Sequence, residues 1–291
     1  MIRHNRERRL FTVQFIQHLF EYQFLSRAML TAVLVGIVCG VVGCIIILRG
    51  LSLMGDAMSH AVLPGVALSF LFHIPMFIGA LITGMLSSIL IGYISDASKT
   101  KKDAAIGITF TAFLASGIIL ISMIHSATDL YHILFGNILA ITQSAFYTTL
   151  VVSTIVVGLI IILYRPLKIS TLDPMFSRMS GLNTTVLHYF VMLLLALVIV
   201  ASVQTVGVIL VVALLITPAS TAYLITHKLS TMMLTSSIFS VISATLGIYL
   251  SFKFNLPSGA VIVLIATLLY AVTFIIAKYF QSQHKGAYQT I

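Results

Sequence analysis

"AMLTAVLVGIVCGVVGCIIIL", residues 28–48, continues for its whole length without a charged side chain. About 20 consecutive apolar residues carry an α-helix across a hydrocarbon core roughly 30 Å thick. Within that core only a helix or a closed barrel satisfies its own backbone groups, so this stretch reads as a transmembrane helix. The rest of the chain repeats the pattern: apolar runs near 57–72, 76–95, 104–124, 144–163, 186–202, 206–226, 232–252 and 258–279 follow it. That makes eight or nine crossings. The count stays open because 57–72 is short and because 186–226 is interrupted by "SVQTVG" and by Thr217 and Pro218. The polar connections are too short for a soluble domain. The expected fold is an all-α, polytopic integral membrane helical bundle.

Composition agrees. Of 291 residues 59% are hydrophobic and 8% charged, with a mean hydropathy of +1.13, whereas an ordinary soluble domain has about 25% charged residues. The net charge of +9 would point to nucleic acid in a soluble protein. Here the basic residues stand at the ends of apolar runs, where anionic lipid and the positive-inside bias account for them; no nucleic-acid partner is expected. Cys39 and Cys44, five apart on one helix, project roughly 140° apart around its axis. They share neither a disulfide nor a metal and read as small core residues.

The chain divides into a basic, amphipathic N-terminal segment (1–26), a membrane-spanning domain (27–285) with a cytoplasmic loop at about 165–183, and a short tail (286–291). "FTVQFIQHLFEYQFLSRA" lacks the continuous apolar core of a signal peptide and fits an interfacial amphipathic helix. Lys99, Lys101 and Lys102; Arg165, Lys168 and Arg178; Lys228; and Lys278 and Lys285 lie in connections separated by even numbers of spans, so all of them can face the cytoplasm. Arg3, Arg6, Arg8 and Arg9 then fall on the outer side, unless residues 10–26 dip into the bilayer and return.

No G-x-x-x-x-G-K-[ST], H-E-x-x-H or G-x-S-x-G occurs. The chain is not expected to be an enzyme, and any ATP that drives it binds elsewhere. The polar residues that matter lie in "MGDAMSHAVLPGV" (54–66). Asp56 and His60, at i and i+4, share one helical face. A carboxylate and an imidazole together suit a divalent first-row metal, and the lack of a thiolate disfavours Cu(I). Pro64 has no N–H for the His60 carbonyl, while Gly55 and Gly65 would let the backbone bend around a site. The plainer reading makes Asp56 a helix N-cap and leaves His60 bonded to a neighbouring backbone group. Ionisable residues at membrane depth usually line a path or pair, which favours the site.

"HSATDLYH" sets His125, Asp129 and His132 on another face, in a connection placed outside. It offers an outer receiving site for metal, or an Asp129 cap on a short helix with histidines at the water interface. His73, before Pro75, reads as interfacial. His4, His18, His188, His227 and His284 carry no assignment. In "STLDPMFSRMSGLNT", Asp173 and Pro174 start a helix and Gly181 stops it: either a docking knob for a soluble partner or a plain connector.

"RGLSLMGDAMSHAVLPGVALSF" resembles the signature of the ABC-3 family of permease subunits, importers of manganese, zinc and iron. The resemblance continues through "DAAIGITFTAF", "DLYHILFGNIL", "STLDPMFSRMSGL", "QTVGVILVVALLITPA" and "LPSGAVIVL", and is nearest to the manganese-type members. It implies a type II ABC importer-like permease in the bacterial plasma membrane that translocates Mn2+, alternatively Zn2+ or Fe2+, with no permanently bound cofactor. It implies as partners a second copy of this permease, two copies of a cytoplasmic ATPase and an extracellular metal-binding lipoprotein. Asp56 and His60 match the family's metal-coordinating pair. Asp173, Pro174, Arg178 and Gly181 fall in its coupling helix. A different class remains open on the residues alone: a proton-coupled secondary transporter using Asp56 and His60 as a relay.

Overall fold

The computed structural model describes residues 23–97, 99, 101–124, 138 and 141–288, with backbone alone at 96–97, 124 and 280–288. The helices are α1 (Gln23–Leu48), α2 (Ser52–Ala61), α3 (Leu63–Phe72), α4 (Met76–Ala97), α5 (Lys102–Ile124), α6 (Gln143–Ile162), α7 (Tyr164–Leu172), α8 (Pro174–Met179), α9 (Thr184–Val206), α10 (Val208–Ile225), α11 (Leu229–Phe254) and α12 (Ser258–Tyr288). Among the described residues there is no strand, as a bilayer requires of a chain that does not close into a barrel. Among the described residues nine segments are long and apolar enough to cross, with α2 and α3 acting together as Ser52–Phe72. The chain is a multi-pass membrane protein.

The bundle is organised around α1. It packs against α11, α10 and α6, and Val35, Cys39, Val42 and Ile46 along it are buried. In contrast, α12 leans mainly on α10 and α11 and exposes Leu264, Leu268 and Ile275. Lipid tails solvate such a face as well as a core would. Cys39 and Cys44 are free and buried, and the Cys44 thiol turns back to donate to the Gly40 carbonyl.

Several local expectations change. The second crossing begins at Ser52, five residues before the run read from hydropathy, because Leu51, Leu53 and Met54 continue the apolar pattern right after the Arg49–Gly50 turn. Gly50 adopts φ +67° there, a conformation that a residue with a Cβ disfavours. Asp56 is therefore inside α2. The N-cap position belongs to Leu51, which makes no side-chain cap bond, so the capping reading is wrong. Neither Gly55 nor Gly65 bends the backbone: the only glycines with positive φ among the described residues are Gly50, Gly181 and Gly207. Gly65 instead lets α3 and α4 touch, since a Cβ there would lie 2.1 Å from the Gly79 carbonyl oxygen. The helix is interrupted at Val62, whose N–H points to the Met58 and His60 carbonyls, and Pro64 enters the first turn of α3, where its missing N–H costs little.

At "SVQTVG" the chain breaks at Gly207 (φ 83°, ψ 162°), dividing two full crossings. The boundary drawn at residue 26 falls inside α1, because Gln23, Ser26 and Arg27 form its polar first turn. Likewise α12 runs past residue 285. Residues 1–22, with the N-terminal arginines, lie outside the described residues.

Candidate functional site

Asp56 and His60 stand one turn apart on α2, with His60 Nε2 3.6 Å from Asp56 Oδ1. Neighbouring ligand atoms about 2.1 Å from a shared ion lie roughly 3–3.5 Å apart, so the pair is spaced to hold one ion with slight adjustment. The His60 side chain is 22% exposed and that of Asp56 52%. His60 also meets the edge of the Phe110 ring on α5, centroids 5.3 Å apart, which fixes the imidazole plane. Its Nδ1 is buried and makes no hydrogen bond. Since a buried polar atom without a partner is costly, the site is shaped for something other than its own packing.

Both residues open onto a cavity of about 460 Å³ whose other wall is α10: Val208, Ile209, Val212, Ala213, Ile216 and Thr217. Hydropathy marked Thr217 only as an interruption; the fold brings it opposite the pair as the third polar side chain of the lining. Among the described residues no three His, Cys, Asp or Glu gather as a metal group. The pair could offer two ligands to an ion and leave its other positions open, which would suit passage rather than storage. At 1.5 Å per residue, Asp56 and His60 lie roughly 6 and 12 Å along the helix from its start at the Arg49 end.

That end is where the odd-numbered crossings meet the arm at residues 165–183. The Arg49 Nε–H donates to Thr171 Oγ1 at 3.1 Å and its Nη2 to Ser170 Oγ at 2.8 Å, tying the α1–α2 junction to α7. Burial lowers the Arg49 pKa to about 10. The arm continues into α8. The Asp173 carboxylate accepts the Phe176 N–H at 2.9 Å, Pro174 sits in the first turn, and Arg178 Nε donates to Thr184 Oγ1 at 3.3 Å. Gly181 turns the chain with φ 77°. The residues that α8 actually presents were not singled out by sequence: Met175, Phe176 and Met179 are 77%, 55% and 83% exposed. Their signal was available, as three large apolar side chains in an otherwise polar loop. His188, also unassigned, lines the cavity beneath Arg49. His125, Asp129 and His132 lie outside the described residues.

Comparison with known proteins gives a consistent result. The family model for the ABC 3 transport family matches residues 21–277. The chain is 52% identical over 263 residues to the manganese transport system membrane protein MntC of Listeria monocytogenes, covering 90% of this chain and 94% of that protein. It is 50% identical over 264 residues to the manganese import system permease protein ScaB of Streptococcus parasanguinis, covering 91% and 94% respectively. The solved structure of PsaBC from Streptococcus pneumoniae in complex with Fab superposes with a TM-score of 0.86 at 46% identity, over 94% of this chain and 99% of that one.

Proposed function

Since the chain belongs to the ABC 3 transport family, we propose that it is the permease subunit of an importer carrying Mn2+ across the bacterial plasma membrane. The observation that carries the metal path is the Asp56–His60 pair, 3.6 Å apart at membrane depth and facing a cavity that α10 closes. Manganese comes from the relatives' names, not from the pair, whose ligand types serve Zn2+ and Fe2+ as well.

Asp56 and Ile209, which line this cavity, are both exposed, as is Leu53 three residues before Asp56 on α2. A carboxylate facing lipid is expensive, and a second copy of the chain covers it. Two Asp56–His60 pairs then flank one path. The cytoplasmic arm supplies the drive. Two copies of a separate ATPase receive α8, whose Met175, Phe176 and Met179 are the apolar side chains a groove would hold. Its movement passes through α7 and the Arg49 hydrogen bonds to the start of α2. An extracellular metal-binding lipoprotein delivers the ion to the outer side. There the His125, Asp129 and His132 cluster would be a receiving point.

The test is reconstitution. Vesicles holding the permease and its ATPase should accumulate Mn2+ only with ATP inside the compartment that faces the ATPase. Accumulation by the permease alone, driven by a proton gradient, would establish the secondary transporter instead; the comparisons give that rival no support.

Docking has its own expected results. Phe176→Glu puts a charge where an apolar side chain seats and should lower co-purification of the ATPase by about tenfold or more, in line with losing a buried interface side chain. Asp173→Ala removes the cap, at about 1 kcal/mol, so it should weaken docking less and raise fraying of α8. An undiminished pull-down for Phe176→Glu removes α8 from the interface.

A further inference from the structure

A second cavity, also about 460 Å³, lies at the cytoplasmic end beneath Arg49; its chemistry is opposite to that of the metal site, and transport of a cation does not explain it. Arg49 enters it from the α1–α2 junction, Lys102 from the start of α5 and Arg178 from α8. Three cations thus converge from three elements, and among the described residues no Asp or Glu lines the space. The hydroxyls of Ser170, Thr171 and Thr184 stand between them. Two crossings also begin at its wall, α5 at Lys102 and α9 at Thr184, and helix N-termini add positive potential.

The half-buried Arg49 uses two of its donors on hydroxyls. A guanidinium has five, and hydroxyls carry no charge to offset its desolvation. Lys102 and Arg178 are exposed and Arg49 is half-buried, so an anion entering the cavity from solvent would meet all three charges. The anion must have several acceptor oxygens, because the donors approach from different directions. The cavity is also in the size range of sites for small organic molecules, larger than a lone carboxylate needs. Arginine forks and hydroxyl donors together suit tetrahedral phosphate oxygens.

We propose that this cavity binds a phosphate group, either free or as the headgroup of an anionic phospholipid, held between Arg49 and Arg178 with Lys102 at the rim. The bound group would clamp α8 to the junction that leads into α2. Leu51 and Met54, which line this cavity, precede Asp56 on the same helix, so occupancy stiffens the link between the arm and the metal site.

The experiment reads thermal unfolding of the full-length chain in maltoside micelles. One arm titrates inorganic phosphate against chloride at matched ionic strength. The other titrates short-chain phosphatidylglycerol against short-chain phosphatidylcholine. A saturable rise in Tm with phosphate assigns the free ion; a rise with phosphatidylglycerol alone assigns the headgroup. In either case Arg49→Gln and Lys102→Gln should each shift the half-saturating concentration by about tenfold, as expected for losing a charge-assisted contact. Lys102 is exposed, so its variant folds even if Arg49→Gln does not. Equal responses to phosphate and chloride together with equal responses to the two lipids overturn the proposal, as does wild-type concentration dependence in the Lys102 variant. Loss of ATPase co-purification in these variants without any phosphate or lipid response also overturns it, and assigns the cavity to a partner's carboxylate.

Discussion

Asp56→Ala is expected to reduce ATP-driven Mn2+ accumulation to the level of empty vesicles, and His60→Ala to do the same. Removing even a supporting group around a metal commonly costs about 10–100-fold in affinity or activity. On the proposed path each of these variants removes one of the two side chains the pair offers to the metal, and in the proposed dimer it would do so twice. The loss should appear in uptake of radiolabelled manganese, while the amount of assembled complex stays unchanged. Asp56→Asn separates charge from shape: it keeps the contour of the side chain, leaves the 52% exposed position without its anion, and should still lose most uptake. Uptake at wild-type rates in both alanine variants would show that the metal does not pass this pair.

Gly65→Ala is expected to be among the most damaging one-methyl changes in the bundle. Its Cβ would stand 2.1 Å from the Gly79 carbonyl oxygen and 2.3 Å from Thr83 Oγ1. The first of these is backbone, which no rotamer change relieves. The α3–α4 contact must then open along its length, at about 3 kcal/mol or more, the upper end for overpacking. Gly79→Ala meets Gly65 from the other side, its Cβ 2.4 Å from the Gly65 carbonyl oxygen, and should behave alike. Both variants should lower Tm strongly in detergent or fail to yield monodisperse protein. Gly107 and Gly158 are internal controls, since an added Cβ there meets nothing within 4 Å; alanine at these helical positions should be neutral or stabilising by up to about 1 kcal/mol. A Gly65→Ala protein as stable as the Gly107→Ala protein would contradict the close crossing.

The two predictions differ in how they can be reached from sequence. The Asp56–His60 pair is legible because i,i+4 spacing on one helix is a local property, and because charge within an apolar run is conspicuous. Its surroundings are not legible. Phe110 lies on α5 and Thr217 on α10, and neither is marked as a neighbour of His60 by anything in its own segment. Gly65 was misread for the same reason. A glycine near a proline suggests a bend when only one strand of sequence is in view, whereas its actual role is set by Gly79 on a different helix. The α8 cap was read correctly from Asp173, Pro174 and Gly181, all of which act within a few residues of one another. In the sequence Met175, Phe176 and Met179 stand out only as apolar side chains in a polar loop; that all three are exposed is set by the packing of the arm.

The sequence by itself determined that the chain crosses a membrane many times and that one helix carries a carboxylate and an imidazole on one face. Both depend on hydropathy, charge and short-range periodicity. The tertiary structure alone decided that the second crossing starts at Ser52, which helix covers the pair, that Arg49 ties the arm to α2, and that three cations ring a second cavity. In a membrane the side of a helix facing lipid and the side facing the core are both apolar, so the usual amphipathic contrast that reveals a buried face is largely absent. Which side packs, and against what, is written in contacts between distant segments.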